Sequence, residues 1–256
     1  MRIKPFIIVI AITMAFASCN RRAQLLYMNN ITSDQDLPIA TPPPYLLKSG
    51  DVLFIQLITQ NPDISRMFNN PSGNTYSSQS RDEASLYLTG YSIDDEGNLT
   101  LPYLGKAHVK GLTLDQARAV IQEKTETIYK DASVIVKMAN YKITVLGEVR
   151  RPGNFRNFND NLTIFEALAT VGDISENGDR KNVLVVRQTA QGNKTFSINL
   201  GDKSVLTSEA FYLLPNDVVI VKPIGNKVFQ MNLPYVNLTL SSISTIILLY
   251  NFITRL

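Results

Sequence analysis

One thiol and one imidazole limit the side-chain chemistry available to this 256-residue sequence. A lone Cys19 cannot build an internal disulfide framework, and one Cys with one His cannot supply a multi-ligand Cys/His metal site. Ser–His or Cys–His catalysis would need His108 as its base. His108 lies between Ala107 and Val109 in a short strand or turn, a setting that reads as structural or simply exposed. The densest acidic group, Asp94-Asp95-Glu96, could hold a metal or do acid–base work, but it runs into Gly97-Asn98. Asp and Gly together supply turn geometry. On a strand, the adjacent Asp94 and Asp95 would point to opposite faces. Gly147, Gly153 and Gly172 are scattered and form no phosphate-cradling loop. Arg150 and Arg151, beside Pro152, could contact an acidic ligand or sit in a solvated turn. The expectation is a chain with no catalytic residues, no metal and no cofactor, and hence not an enzyme.

Cys19 has a different chemistry open to it. Met1-Arg2-Ile3-Lys4 is a short basic start, and residues 6–16 are an apolar run too short to cross a bilayer comfortably. Phe16-Ala17-Ser18-Cys19 then places small residues just before the thiol, where a lipoprotein signal peptidase would cut. Cys19 is the expected lipidation site, with residues 1–18 as a signal peptide. The other reading is an ordinary export signal with an unrelated Cys. Asn20-Arg21-Arg22 follows without the Asp that holds lipoproteins in the inner membrane, which favours the outer membrane. An exported lipoprotein of this kind makes the Asn-Leu-Thr triplets at Asn98, Asn161 and Asn237 coincidental matches to a glycosylation acceptor. Loss of Arg2 and Lys4 with the leader leaves 23 basic against 22 acidic residues. No basic excess remains to neutralise a phosphate backbone, so nucleic acid is not an expected partner. A 45% hydrophobic share with 18% charged residues is that of folded domains, and this length holds two modest ones.

The positioning elements follow from local patterns. Residues 20–44 are polar and end in Thr41-Pro42-Pro43-Pro44, an extended tether. Residues 52–58 read as a strand, and 60–85 as a long polar loop. Residues 87–93 and 99–104 flank the acidic turn and predict a hairpin across it. Thr113 with Gln116 predicts a capping box, and Leu114, Ala117, Ile121 and Ile128 share the apolar face of the helix it starts. Residues 133–138 and 142–146 read as strands, with a boundary near Asn140. Thr163 with Glu166 predicts a second capped helix ending at Gly172. Strands follow at 183–187, 195–200 and 217–221. Tyr45-Leu46-Leu47 before Gly50-Asp51-Val52 is echoed by Tyr212-Leu213-Leu214 before Asn216-Asp217-Val218, which is turn–strand chemistry recurring rather than a repeat. The fold class is α+β, with two small domains that each pack one helix on a mainly antiparallel sheet.

Residues from Leu233 to Leu256 contain only one Pro, Pro234 in the first turn, and no Gly, which predicts a helix starting there and long enough to cross a hydrocarbon core. Asn237, Ser241, Ser244, Asn251 and Arg255 form one polar stripe, interrupted by Leu248. Ile243, Ile246, Ile253 and other apolar residues cover the remaining faces. A ring of such helices would turn the stripe toward water. A soluble helix packed on the preceding domain, or one lying flat on a membrane, are the alternatives.

Several motifs in order carry a resemblance. Tyr45-Leu-Leu-Lys-Ser-Gly-Asp-Val52, Tyr91-Ser-Ile-Asp-Asp-Glu-Gly-Asn-Leu-Thr-Leu-Pro-Tyr-Leu-Gly105 and Gly111-Leu-Thr-Leu-Asp-Gln-Ala117 resemble the polysaccharide export domain of outer-membrane exporters. Tyr141-Lys-Ile-Thr-Val-Leu-Gly-Glu-Val149, Arg151-Pro-Gly153, Leu162-Thr-Ile-Phe-Glu-Ala-Leu168 and Tyr212-Leu-Leu-Pro-Asn-Asp-Val218 resemble the soluble-ligand-binding β-grasp domain of the same family. The resemblance implies a signal peptide over 1–18, a lipidated tether over 19–44, an export domain over 45–139, a β-grasp domain over 140–223 and a C-terminal amphipathic transmembrane helix over 224–256. Residues 60–85 read as an insertion. It further implies a homo-oligomeric ring, lipid-anchored at the outer membrane with most of its mass in the periplasm. The ring would pass capsular or exopolysaccharide, with an inner-membrane co-polymerase as its partner and no covalent chemistry of its own. The pore would be lined by Asn237, Ser241, Ser244, Asn251 and Arg255. The competing function is a periplasmic glycan-binding outer-membrane lipoprotein that forms no channel.

Overall fold

The computed structural model describes residues 26–34, 36–38, 40–69 and 90–254. Cys19, Arg255 and residues 70–89 lie outside them, and with them most of the expected polar loop and the start of the expected 87–93 strand.

Buried apolar residues fall into two clusters, one built from Leu47 to Val136 and the other from Tyr141 to Val221. In the first, β1 (Val52–Ile58) buries Leu53, Ile55 and Leu57 on one face. It lies between β2 (Tyr91–Ser92) and β5 (Ser133–Met138), antiparallel to both. Helix α1 (Pro62–Asn69) packs Phe68 against this sheet. The Asn69 amide pairs with both backbone groups of Leu57, at 2.8 and 2.9 Å, as a neighbouring strand would. Helix α1 corrects the expectation of irregular chain from residue 60. Its signals were present: the Asn61 side chain caps the Asp63 N–H at 2.9 Å, and Pro62 occupies the first helical position.

The hairpin is also displaced from its expected place. Asp94 to Asn98 is a tight turn, with the Asp94 carboxylate accepting the Asn98 N–H at 2.7 Å. Among the described residues the two flanking strands do not pair with each other. β2 joins β1, while β3 (Asn98–Leu101) pairs with β4 (Gly105–His108). The Gly97 carbonyl accepts the N–H groups of Val109 and Lys110, so the turn is closed by the chain leaving β4.

Helix α2 (Leu114–Glu126) carries the predicted capping box and buries Ala117 and Ile121. Ile128 falls beyond its end and is exposed, because the helix stops before reaching it. Gln122 ties α2 to β5 by accepting the Val134 N–H and donating to the Ala132 carbonyl.

The second unit is a five-stranded sheet of order β10–β9–β12–β6–β7, formed by β6 (Lys142–Gly147), β7 (Gly153–Arg156), β9 (Gly178–Thr189), β10 (Gly192–Ile198) and β12 (Val218–Pro223). β6 and β12 run parallel and the other pairings are antiparallel. β8 (Leu162–Thr163) and β11 (Tyr212–Leu213) make a short separate ladder. Helix α3 (Ile164–Thr170) has its capping box at Thr163 and Glu166 and buries Ile164, Ala167 and Leu168. Gly172 follows with φ +80°, the left-handed conformation that ends helices.

The echoed Tyr-Leu-Leu segments adopt one turn. Gly50 and Asn216 both have positive φ, and the carboxylates of Asp51 and Asp217 accept the N–H of Lys48 and of Leu214, each at 2.8 Å. Turn chemistry is sufficient to explain the likeness. Residues 27–31, expected as free tether, instead lie against the second unit: the Met28 and Asn29 N–H groups reach the Leu200 and Gly201 carbonyls at 2.9 Å.

Candidate functional site

Helix α4 (Gly225–Ile253) begins nine residues before Pro234, not at it. The proline is therefore interior, and the Gln230 carbonyl has no N–H four residues on. Such a site is tolerated in membrane helices, where neighbours and local adjustments satisfy the freed group. Leu233–Ile253 is apolar and long enough to cross a membrane, and none of it is covered by the rest of the described chain. That exposure is not the packing that the alternative of a soluble helix on the preceding domain requires.

Asn237, Ser241, Ser244 and Asn251 are all exposed on α4. At 3.6 residues per turn they project within an arc of about 80°. The hydroxyls off this stripe are satisfied within the helix: Thr239 donates to the Val236 carbonyl at 2.7 Å and Ser242 to that of Leu238 at 2.8 Å. Bonded in this way, they can face hydrocarbon at low cost. On the stripe, Ser244 donates to Leu240 and Asn251 to Ile247 in the same manner. Small side chains also leave an open groove beside Pro234, along Asn237, Leu238, Ser241, Ser242 and Thr245.

Sequence reasoning missed what holds the base of this helix. The Ile224 N–H donates to the Asn177 carbonyl at 2.8 Å. One turn into α4, Lys227 forms an ion pair with Glu148, which also accepts the Ser175 hydroxyl at 2.9 Å. The Lys227 ammonium, with help from Ser175, holds the Glu148 carboxyl below its ordinary range. Neither residue carries a local sequence signal, because the pair joins positions 79 residues apart. A group with a depressed folded pKa stabilises above its unfolded pKa and loses that contribution as pH falls through the folded one. We therefore expect α4 to loosen at its base below about pH 4, the ordinary glutamate range. A spin label at position 238 would report that mobility, and Glu148→Gln should show it already at neutral pH.

The remaining candidates have structural partners. His108 is exposed and pairs across the hairpin with Asn98, its Nδ1 3.1 Å from the amide oxygen. Arg151 donates to the Thr170 carbonyl at 3.0 Å, and the Arg150 and Arg151 N–H groups reach the Asp173 and Val171 carbonyls. They dress the C-terminal end of α3, where cations are favoured. Among the described residues no group of three or more His, Cys, Asp or Glu is placed to hold a metal ion.

Residues 39–139 match the family described as polysaccharide biosynthesis/export protein, and residues 141–221 match the SLBB domain. Two similar curated proteins are both described as EPS I polysaccharide export outer membrane protein EpsA. The one from Ralstonia solanacearum is 31% identical over 167 residues, covering 62% of this chain and 42% of the relative. The one from Ralstonia nicotianae is 28% identical over 167 residues, covering 63% of this chain and 42% of the relative. The chain thus covers well under half the length of these relatives.

Proposed function

The chain belongs to the polysaccharide biosynthesis/export protein family, and from that premise we propose that it is a lipid-anchored outer-membrane protein whose copies form a ring through which polysaccharide is exported. The observation that carries this reading is the long uncovered helix α4 with its polar residues on one side. A single such helix would hold Asn and Ser against lipid, which is costly. In a ring the stripes of neighbouring copies face a shared aqueous lumen and the isoleucine-rich faces meet hydrocarbon. The two α+β units then supply contacts between subunits rather than a catalytic cleft. Cys19 carries the lipid, and an inner-membrane co-polymerase docks from the periplasm. Each buried CH₂ of the lipid contributes about 0.8 kcal/mol, so several acyl chains hold the protein firmly.

Electron microscopy of the detergent-extracted particle tests the assembly. A ring with a lumen is the expected result, and a monodisperse monomer would turn the reading toward a glycan-binding lipoprotein without a channel. Mass spectrometry of the mature N-terminus should find an acylated Cys19. An intact, unmodified Cys19 would remove the anchor. Single substitutions of His108, Asp94 or Asp95 should leave export close to wild type.

A further inference from the structure

The first described segment and the base of the last helix are both fastened to one short loop of the second unit, residues 173–178. At the N-terminal side, the Tyr27 hydroxyl donates to the Asp173 carboxylate. The Tyr27 ring meets Phe165 edge-on at 5.7 Å and covers the Arg180 guanidinium at 5.3 Å. Arg180 is only 6% exposed. Its Nη2 reaches the Ile174 carbonyl at 3.1 Å and pairs with the Asp173 carboxylate at 3.5 Å, while its Nε and Nη1 have no hydrogen-bond partner among the described residues. The Tyr27 ring and the Asp173 carboxylate that its hydroxyl binds therefore together hold a buried cation two of whose nitrogens have no hydrogen bond among the described residues. Burial and the Asp173 carboxylate push the Tyr27 hydroxyl up to about 12, so it remains a donor at every physiological pH.

At the C-terminal side, the same loop carries the base of α4. The Asn177 carbonyl accepts the first N–H before the helix, and the Ser175 hydroxyl orients the Glu148 carboxylate that binds Lys227. The loop has little freedom to yield on one side alone. Its Ser175 N–H donates to the Glu148 carbonyl, and a Cβ at Gly178 would lie 2.2 Å from the Ile174 side chain and 2.8 Å from that carbonyl.

We propose that the 173–178 loop is a joint coupling the N-terminal segment to helix α4, with Tyr27 and Arg180 as its positioning residues. Its meaning for export rests on the reading of Cys19 and α4 as the two membrane attachments. Cys19 lies eight residues before Tyr27, within about 29 Å of extended chain, so the lipid and the helix would leave one loop toward one membrane surface. Displacing Tyr27 then loosens the helix base, and breaking the Glu148–Lys227 pair loosens the docked segment.

Amide hydrogen exchange of the full chain in detergent micelles tests the coupling. Tyr27→Ala should speed exchange at Met28 and Asn29 and also at Ile224 and Lys227, the latter by about tenfold, as the loss of one hydrogen bond would. The β1–β5 ladder of the first unit should not change. Tyr27→Phe, which keeps the ring over Arg180, should give a smaller change at both ends. Glu148→Gln should speed exchange at Met28 and Asn29. Acceleration confined to residues 26–31 in both Tyr27 variants, together with wild-type exchange at Met28 and Asn29 in Glu148→Gln, would overturn the joint. If Tyr27→Ala unfolds the second unit, Tyr27→Phe and Glu148→Gln decide alone. The same pattern is expected from a Cys19→Ser chain. Failure of the lipid or channel reading would therefore show in the mass of the N-terminus or the particle image, and failure of the joint only in exchange.

Discussion

Removing residues 235–256 should abolish polysaccharide export while leaving both α+β units folded. The described part of the deleted segment is covered by nothing else in the described chain and contributes no residue to either core. What disappears is the only described helix long and apolar enough to cross a membrane. Export measured as surface polysaccharide should fall to the level of a strain lacking the protein. The residue pattern behind that loss can be read directly. In the proposed ring the stripe faces a lumen, so Cys substitutions at positions 241, 244 and 251 should react with water-soluble thiol reagents added outside the cell. Substitutions at 243, 246 and 253 should be shielded by hydrocarbon. Equal labelling of both sets would point to a helix lying flat on the membrane, and full export after the deletion would refute the pore.

The second large effect concerns stability. Asp217 is fully buried and takes both faces of the Arg187 guanidinium fork, with Nη2 at 2.7 Å and Nε at 3.0 and 3.1 Å. Arg187 completes its donors on the Tyr212 carbonyl at 2.9 Å and the Glu209 carbonyl at 3.3 Å, and its guanidinium lies over the Phe196 ring. Asp217 also accepts the Leu214 N–H that forms the turn into β12. Asp217→Ala leaves a buried cation without its counter-charge, and the second unit should lose about 3–5 kcal/mol. Domains have about 5–15 kcal/mol in total, so the loss leaves little margin. Denaturant unfolding would show it as a lowered midpoint. Arg187→Met together with Asp217→Leu should recover part of the loss, because neither charge then remains buried alone. A midpoint within error of wild type for Asp217→Ala would mean that the pair contributes nothing net.

Much of the local structure was determined by residues a few positions apart. The capping boxes at Thr113 with Gln116 and Thr163 with Glu166 formed as their spacing predicts, because donor and acceptor sit three residues apart and need no other part of the chain. The strand at 133–138 and the left-handed Gly172 were legible for the same reason. So was the one-sided polar stripe of α4, a matter of helical periodicity alone. The motifs from Tyr45 to Val218 likewise carried the family resemblance that the matched domains support.

Choices among distant partners were not legible. The acidic turn was visible at 94–98, but only the whole fold decides that β2 adds to β1 and that β3 turns back to β4. Three short segments can pair in more than one way, and the winner is the one that buries Leu99, Leu101 and Ala107 in the shared core. Asn61 and Pro62 marked the start of α1, yet a single buried Phe68 is too weak a periodic signal to outweigh a polar stretch. The same limit hid Tyr27, Asp173 and Arg180, and the Glu148–Lys227 pair. Tyr27 is the only aromatic residue between positions 20 and 44, but nothing near it in sequence names its acceptor 146 residues away. Local spacing determines caps, turns and faces because their atoms are already neighbours along the chain. Buried ion pairs and docked segments exist only after the chain has closed long loops, and their geometry is set by the cores that close them.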